Sequence, residues 1–264
     1  METSKHLIEY YSNYDENGRL TSRHGSVEFL TTMRYIDQYL NPGDRIIEIG
    51  AATGRYSHAI ARKGFTVDAV ELVEHNIELF RQNTEPSENI TITHGNAIDL
   101  SGFADNTYDI TLLLGPLYHL YNQDDKRQAL SEAIRVTKQG GMIFIAYCIS
   151  DATLMSEFFA AQNLDLFEYM KQGMIDPVTF STRSEPKDLF ELVRKEDVLE
   201  LTSYFPVTRL HYIATDGFTR YMRESINHMD DALFEQYLKY HFVICEREDM
   251  VGLSHHTLDV LRKD

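Results

Sequence analysis

Apolar, strand-like runs alternate with helical segments between Arg45 and Tyr147, and this alternation restricts the possible folds more than any other feature of the sequence. Such alternation is typical of β-α-β units, whose parallel strands are buried on both faces. The sequence therefore predicts an α/β fold: a doubly wound, Rossmann-like, mostly parallel seven-stranded sheet, with N-terminal helices and a helical cap inserted before the last two strands.

The length of the chain, 264 residues, fits one large domain. We expect a single domain over residues 1–264, made of N-terminal helices (1–40), a ligand-binding core (41–150), the cap (151–205) and C-terminal strands and helices (206–264). The cap is interpreted as an insertion above the carboxyl edge of the sheet, where it could cover a ligand.

The formal net charge of −16 repels phosphate backbones, which argues against nucleic acid as a partner. No apolar run approaches the length of a membrane span, and the polar first ten residues do not resemble a signal peptide. Cys148 and Cys245 stand among apolar neighbours, so we interpret them as buried free thiols. These features predict a cytoplasmic protein without a membrane partner, as a monomer or a homodimer.

The most informative stretch is Glu48–Gly54, which follows a predicted strand and opens a helix. The small residues Gly50, Ala51, Ala52 and Gly54 let the backbone approach a ligand closely, and the free amides of the helix start can face an anion. A dinucleotide loop would instead need glycine at positions 52 and 55, where this chain has Ala52 and Arg55.

Polar residues also end the next two strands. Glu71, with Leu72 beside it, follows the glycine-containing loop at roughly the spacing at which a carboxylate can accept hydrogen bonds from a ribose diol. Asn96 and Ala97 follow the third strand, where a short polar side chain could meet an adenine ring. We interpret these positions as one ligand-binding edge of the sheet.

The loop after the fourth strand carries Leu114, Gly115, Tyr118 and His119. In an open parallel sheet this loop lies at the carboxyl edge beside the ligand crevice. Tyr118 and His119 are the candidate catalytic residues, with His119 as a possible general base and a structural histidine as the alternative.

As a set, these motifs resemble the class I S-adenosylmethionine-dependent methyltransferases, most closely their small-molecule branch. The resemblance covers about 100 residues. It is carried by Glu48–Gly54, Glu71, Gly95–Ala97, Asp105–Asp109, Leu117–Leu120 and Arg135–Gly141, in the order that the family shows. It implies S-adenosylmethionine as cofactor and methyl transfer to a small-molecule acceptor by in-line displacement in a capped pocket.

The resemblance also implies individual roles. Gly50, Ala52 and Gly54 would line the methionine part of the cofactor, and Glu48 would steady the loop or reach the cofactor's ammonium. Glu71 would hold the ribose hydroxyls, Asn96 and Ala97 would meet the adenine, and Leu114 and Gly115 would pass near the sulfonium. Ala52 stands where glycine is commonest, and Asn96 where aspartate is commonest.

In similar enzymes the N-terminal segment folds over the cofactor. This implies that Tyr14 shields the sulfonium and that Arg19 or Arg23 pairs with the cofactor carboxylate. The alternative is a solvated amphipathic helix.

Other functions stay open at this stage: methylation of tRNA, rRNA or a protein side chain, and a protein of another class that binds S-adenosylmethionine without catalysis. We expect no metal site, since His255 and His256 fall in a predicted last strand and would point to opposite faces.

Overall fold

The computed structural model describes residues 2–12 and 22–264. In this part of the chain, eight strands form one sheet: Arg45–Ile49 (β1), Thr66–Glu71 (β2), Ile90–His94 (β3), Tyr108–Leu113 (β4), Thr137–Ile149 (β5), Leu192–Val193 (β6), Val207–Ala214 (β7) and His256–Lys263 (β8).

The α-helices of the described residues are Glu2–Tyr11 (α1), Arg23–Tyr39 (α2), Arg55–Ala61 (α3), Glu74–Asn83 (α4), Gln123–Val136 (α5), Ser150–Thr153 (α6), Leu166–Lys171 (α7), Lys195–Thr202 (α8), Arg223–Asn227 (α9), Asp231–Ile244 (α10) and Glu248–Val251 (α11). A π-helical turn, Leu154–Ala160, continues α6, and single 3-10 turns span Pro116–His119, Pro186–Asp188 and Gly217–Arg220. Side chains of Ser22 and Asn122 accept the free amides that begin α2 and α5.

The strand order is β3-β2-β1-β4-β5-β8-β7, and the two-residue strand β6 pairs with the end of β5. Strands β1 to β5 run parallel, whereas β8 is antiparallel to both β5 and β7. The predicted doubly wound, mostly parallel sheet is thus confirmed, with β6 as an additional strand. The order reverses between β1 and β4, which is where such sheets open a ligand crevice at their carboxyl ends.

Both faces of the sheet are covered, as near-continuous apolar strands require. In β1, Ile46 packs into the cluster that contains Ile36 of α2 and Ile60 of α3. Its neighbour Ile47 packs into the opposite cluster, with Leu130 of α5. The alternation of side chains along one strand therefore buries two separate cores.

The segment between β5 and β7 contains α6 to α8 and is tied to the core by a short stretch that we call the strap, residues 189–193. Within the strap, the Glu191 N–H donates to the Tyr118 carbonyl at 2.7 Å, and the Glu191 carboxylate accepts from Lys126 Nζ at 2.8 Å. Its first residue, Leu189, has φ +66°, a conformation that L-residues rarely adopt.

One expectation needs correction. Of the two histidines predicted to lie in the last strand, only His256 does, because the strand starts there and His255 belongs to the turn that precedes it. Among the described helices, none combines the length and the apolar character needed to cross a bilayer.

Candidate functional site

Two adjoining cavities open at the carboxyl edge of the sheet. The first, which we call the loop cavity, has a volume of about 170 Å³ and is lined by the ends of β1, β2 and β4. The second, the cap cavity, has a volume of about 560 Å³ and lies under the segment between β5 and β7. Tyr11 and Tyr118 line both cavities, so these two rings stand at the boundary.

The wall of the loop cavity is built first from the turn after β1. Gly50 and Gly54 have φ values of +74° and +90°, and a Cβ atom on Gly50 would lie 2.8 Å from the Pro116 ring. Glycine is therefore needed there both for the left-handed backbone and for the close approach. Ala52 also has positive φ, at +48°, which costs roughly 1 kcal/mol in an L-residue.

Glu71, at the end of β2, holds this turn in place. Its Oε2 accepts the Ala52 N–H at 2.9 Å, while Oε1 accepts the Val73 N–H at 2.9 Å and the Asn76 amide at 3.3 Å. Burial raises the pKa of Glu71, although these hydrogen bonds oppose the shift. Oε1 already accepts two hydrogen bonds and Oε2 only one, so Oε2 can still accept a hydrogen bond from a ligand in the cavity.

Glu48 lies at the base of the same turn and is almost completely buried. One of its oxygens accepts both the N–H and the hydroxyl of Ser57, in the first turn of α3. Burial raises its pKa to about 8, and the neighbouring Glu71 adds to the shift. Glu48 therefore steadies the loop as expected, and lines the cavity with a carboxyl group that titrates near neutral pH.

The predicted residues after β3 and β4 meet in this cavity too. Asn96 and Ala97 line it from one side, and the side-chain Oδ1 of Asn96 accepts the Ile98 N–H at 3.2 Å. The side-chain NH2 of Asn96 is a hydrogen-bond donor at this wall of the cavity. Of the sequence-predicted set, the lining residues are Glu48, Gly50, Ala51, Ala52, Glu71, Leu72, Asn96, Ala97, Leu114, Gly115, Tyr118 and His119.

Some predicted residues do not line this cavity. Gly54 packs beneath the loop, where an added Cβ would lie 2.6 Å from both Phe80 and His58. Arg23 points away, because its guanidinium pairs with Asp231 at 2.5 Å and lies over the Phe234 ring. The predictions for Tyr14 and Arg19 fall outside the described residues.

Sequence reasoning left Leu7 and Asn76 out of the predicted site, although both line the loop cavity together with Tyr11. Leu7 and Tyr11 lie four residues apart on α1 and so face the same way. That spacing was readable, but the sequence does not show which face of α1 meets the sheet. Asn76 lies one turn into α4 and contacts Glu71.

His119 lies between the loop cavity and the strap. Its Nδ1 donates to the Leu189 carbonyl at 2.7 Å, so its Nε2 is the acceptor for the Tyr11 hydroxyl at 3.1 Å. Burial lowers the pKa of His119 to about 4, which keeps the imidazole neutral at physiological pH. Beside it, the Tyr118 hydroxyl donates to the Leu114 carbonyl at 2.9 Å.

The cap cavity has two kinds of wall. One is aromatic: Tyr10, Tyr11, Tyr118, Phe158, Tyr169 and Phe190. The other is charged: Glu28, Glu157, Arg183, Asp216, Arg220 and His256. A small molecule that carries both an apolar body and polar groups would match this lining.

The histidine pair at the start of β8 corrects an expectation. His255 and His256 both line the cap cavity, because His255 precedes the strand and does not alternate with its neighbour. His255 Nε2 lies 2.6 Å from the Ser156 hydroxyl. His256 Nδ1 lies 3.0 Å from Asp216 and 3.5 Å from Glu28. Among the described residues, these three side chains bring atoms that can bind a metal ion within 4.8 Å of one another.

Residues 47–145 match the methyltransferase domain family. A demethylmenaquinone methyltransferase of Clavibacter sepedonicus is 35% identical over 104 residues, which cover 39% of this chain and 40% of that protein. An O-methyltransferase of Aspergillus nomiae is 30% identical over 131 residues, 48% of this chain and 56% of that protein. The chain thus spans about half or less of the length of these two relatives.

The fold extends further than the sequence likeness. The crystal structure of an S-adenosylmethionine-dependent methyltransferase from Thermotoga maritima, described as a possible histamine N-methyltransferase, superimposes with a TM-score of 0.58 and covers 99% of this chain and all of that one. At 16% identity this likeness concerns the fold alone.

Proposed function

We propose that residues 47–145, which match the methyltransferase domain family, bind S-adenosylmethionine, and that the chain transfers the cofactor's methyl group to a small molecule bound in the cap cavity. The observation that carries the proposal is the shared boundary. The loop cavity, at the strand switch point, adjoins the cap cavity across Tyr11 and Tyr118.

The loop cavity suits S-adenosylmethionine in shape and chemistry. Gly50 lets the turn after β1 pass close to Pro116, which a side chain would not allow, and the buried Oε2 of Glu71 can accept a hydrogen bond from a ribose hydroxyl. We assign Asn96 and Ala97 to the adenine, Glu48 with residues 50–52 to the methionine part, and Leu114 with Gly115 to the sulfur. Gly54, expected to line the methionine part, is assigned the role of shaping the loop from beneath.

When bound, S-adenosylmethionine supplies an electrophilic methyl group on a sulfonium. The protein's task is then to align the acceptor for in-line displacement and to exclude water. Tyr118, with its hydroxyl tied to Leu114, gives a rigid ring face between the two cavities. It is a positioning element in this assignment.

His119 fits a positioning role better than that of a general base. A base works best when its pKa lies near the working pH, and burial places the pKa of His119 at about 4. Its two nitrogens are already engaged, by Leu189 and by Tyr11. His119 therefore connects α1 and the strap at the edge of the site. We assign it the role of holding these two segments in position, in place of the predicted role as a general base.

The acceptor assignment follows from the cap cavity. Six aromatic rings and several charged groups line it, as a small aromatic or heteroaromatic compound with polar substituents would require. The names of the similar proteins supply probes for a first screen: demethylmenaquinone, a compound with a hydroxyl acceptor and histamine.

Calorimetry tests the cofactor site first, with S-adenosylmethionine, S-adenosylhomocysteine and NAD as titrants. We expect micromolar binding of the two adenosyl compounds and none of NAD. Glu71→Gln should weaken binding by about 10- to 100-fold, as loss of charge-assisted hydrogen bonds does. Glu74→Gln, a change at the first residue of α4, is the matched control and should bind as the wild type does.

Transfer of a radiolabelled methyl group to the three probes then tests catalysis. Label in any small-molecule product supports the proposal. Cofactor binding without label in any product would favour a protein that binds S-adenosylmethionine without catalysis. Failure of the folded protein to bind either adenosyl compound would overturn the assignment of the loop cavity.

A further inference from the structure

Four side chains with metal-binding atoms meet in the wall of the cap cavity, and the proposed methyl transfer uses none of them. Glu28 comes from α2, Cys148 from β5, Asp216 from the turn after β7, and His256 from the first position of β8. Cys148 and Asp216 are only 6% and 7% exposed. Glu28 and His256 are 228 positions apart in the sequence, so no local motif could predict that these side chains meet.

The distances suit a single small cation. His256 Nδ1 lies 3.0 Å from Asp216 Oδ2 and 3.5 Å from Glu28 Oε2, and the three ligand atoms lie within 4.8 Å of one another. Around a tetrahedral ion with bonds of about 2.1 Å, neighbouring ligand atoms are about 3.4 Å apart, so the spacing of these three atoms needs little adjustment. Cys148 lies outside this close group of three but stands directly opposite His256 in the antiparallel pairing of β5 and β8, where paired residues share one face of the sheet.

Asp216 is oriented for such a role. Its Oδ1 accepts the Ser254 hydroxyl at 2.6 Å and the His256 N–H at 3.1 Å, while Oδ2 faces the imidazole. In metal sites, carboxylate ligands are characteristically held in position by hydrogen bonds from neighbouring groups that do not themselves bind the metal. One oxygen is therefore anchored and the other is presented to the cavity.

We propose that Cys148, His256, Asp216 and Glu28 bind one divalent transition-metal cation in the wall of the cap cavity. The mixed sulfur, nitrogen and oxygen set favours an ion of the zinc type, since calcium and magnesium take oxygen ligands alone. This departs from the sequence-based expectation of no metal site, and it does not depend on the proposed methyl transfer.

The test uses the full chain, stripped with a chelator and titrated with Zn²⁺ by calorimetry. We expect one ion per chain. Co²⁺ in place of Zn²⁺ should give a sulfur-to-metal charge-transfer band in the near ultraviolet. Either the absence of stoichiometric binding or the absence of this band would overturn the proposal.

Matched variants locate the site. Cys148→Ser should abolish the charge-transfer band, whereas Cys245→Ser, at the other buried thiol, should leave it unchanged. Glu28→Gln should weaken Zn²⁺ binding at least tenfold, and Glu157→Gln, at another carboxylate of the cap cavity, should not. If Cys148→Ser and Glu28→Gln both bind Zn²⁺ as tightly as the wild type does, the ion binds elsewhere and the proposed site is wrong. Binding of S-adenosylhomocysteine, measured on each variant, reports separately on the loop cavity.

Discussion

The loop cavity and the cap cavity are walled by different parts of the chain. Backbone dominates the first, where Gly50, Ala51 and Gly115 bring the main chain against the empty space. Side chains dominate the second, with rings on one side and charges on the other. A backbone wall is set by the conformation of the turns and tolerates few substitutions. A side-chain wall can be relined by substitution without refolding the sheet, so the two cavities should respond differently to mutation.

The largest expected effect concerns the strap that closes the cap cavity. Lys126→Met leaves the Glu191 carboxylate, whose side chain is 17% exposed, without its cation, and such a loss costs about 3 kcal/mol of unfolding free energy, the lower end for a buried ion pair. Urea unfolding measures the change. Lys171→Met, in a pair whose side chains are 79% and 48% exposed, should cost less than about 1 kcal/mol. We expect S-adenosylmethionine to bind Lys126→Met as tightly as it binds the wild type. A loss of binding free energy equal to the loss of unfolding free energy would show that the two cavities do not respond independently to mutation.

Gly54→Ala tests the turn that supports the backbone wall from beneath. Its Cβ would lie 2.6 Å from the buried Phe80 ring at a φ of +90°, so strain and overpacking together should cost about 3 kcal/mol. Gly43 has the same φ with nothing within 4 Å, and Gly43→Ala should cost about 1 kcal/mol. Thermal unfolding of both variants gives the comparison, and equal losses would show that contact with Phe80 has no energetic weight.

Glu48 should make the loop cavity sensitive to pH. Burial raises its pKa to about 8, so the folded protein holds a proton that the unfolded chain releases above about pH 4.5. The stabilising effect of that proton is complete below pH 4.5 and disappears as pH rises through 8. Between pH 6 and 8, wild type should lose about 2 kcal/mol relative to Glu48→Gln. Parallel stability curves for the two proteins would contradict the shift.

The smallest effect concerns the boundary between the cavities. Tyr11→Phe removes the hydroxyl that donates to His119 Nε2 and should cost about 1 kcal/mol. Tyr204→Phe, at a half-exposed ring whose hydroxyl lies 3.4 Å from Glu200, should cost nothing measurable. Denaturant midpoints of the two variants distinguish them, and equal midpoints would mean that the Tyr11–His119 contact does not stabilise the fold.

The predictability of the two cavities from sequence follows the same division. Glu48, Gly50 and Glu71 come from consecutive β-α units, and their spacing alone places them at one sheet edge. The sheet was predictable because each of its longer strands is a local apolar run in the sequence.

The cap cavity depends on contacts between distant segments, such as Glu28 with His256, which no periodicity encodes. Arg23 shows the converse error. A cation close in sequence to the site was expected to serve it, but Asp231 of α10 pairs with it on the outer surface.

Tyr11 and Tyr118 belong to both cavities, and this has a thermodynamic consequence. Any shift of α1 that fits Tyr11 to one occupant also alters the space offered to the other. Occupancy of the two sites is then linked by a coupling free energy, and linkage makes it reciprocal: the factor by which one ligand tightens or loosens the second must equal the factor in the other direction. The two tyrosines that separate the cavities would therefore also make the affinity of each cavity depend on whether the other is occupied.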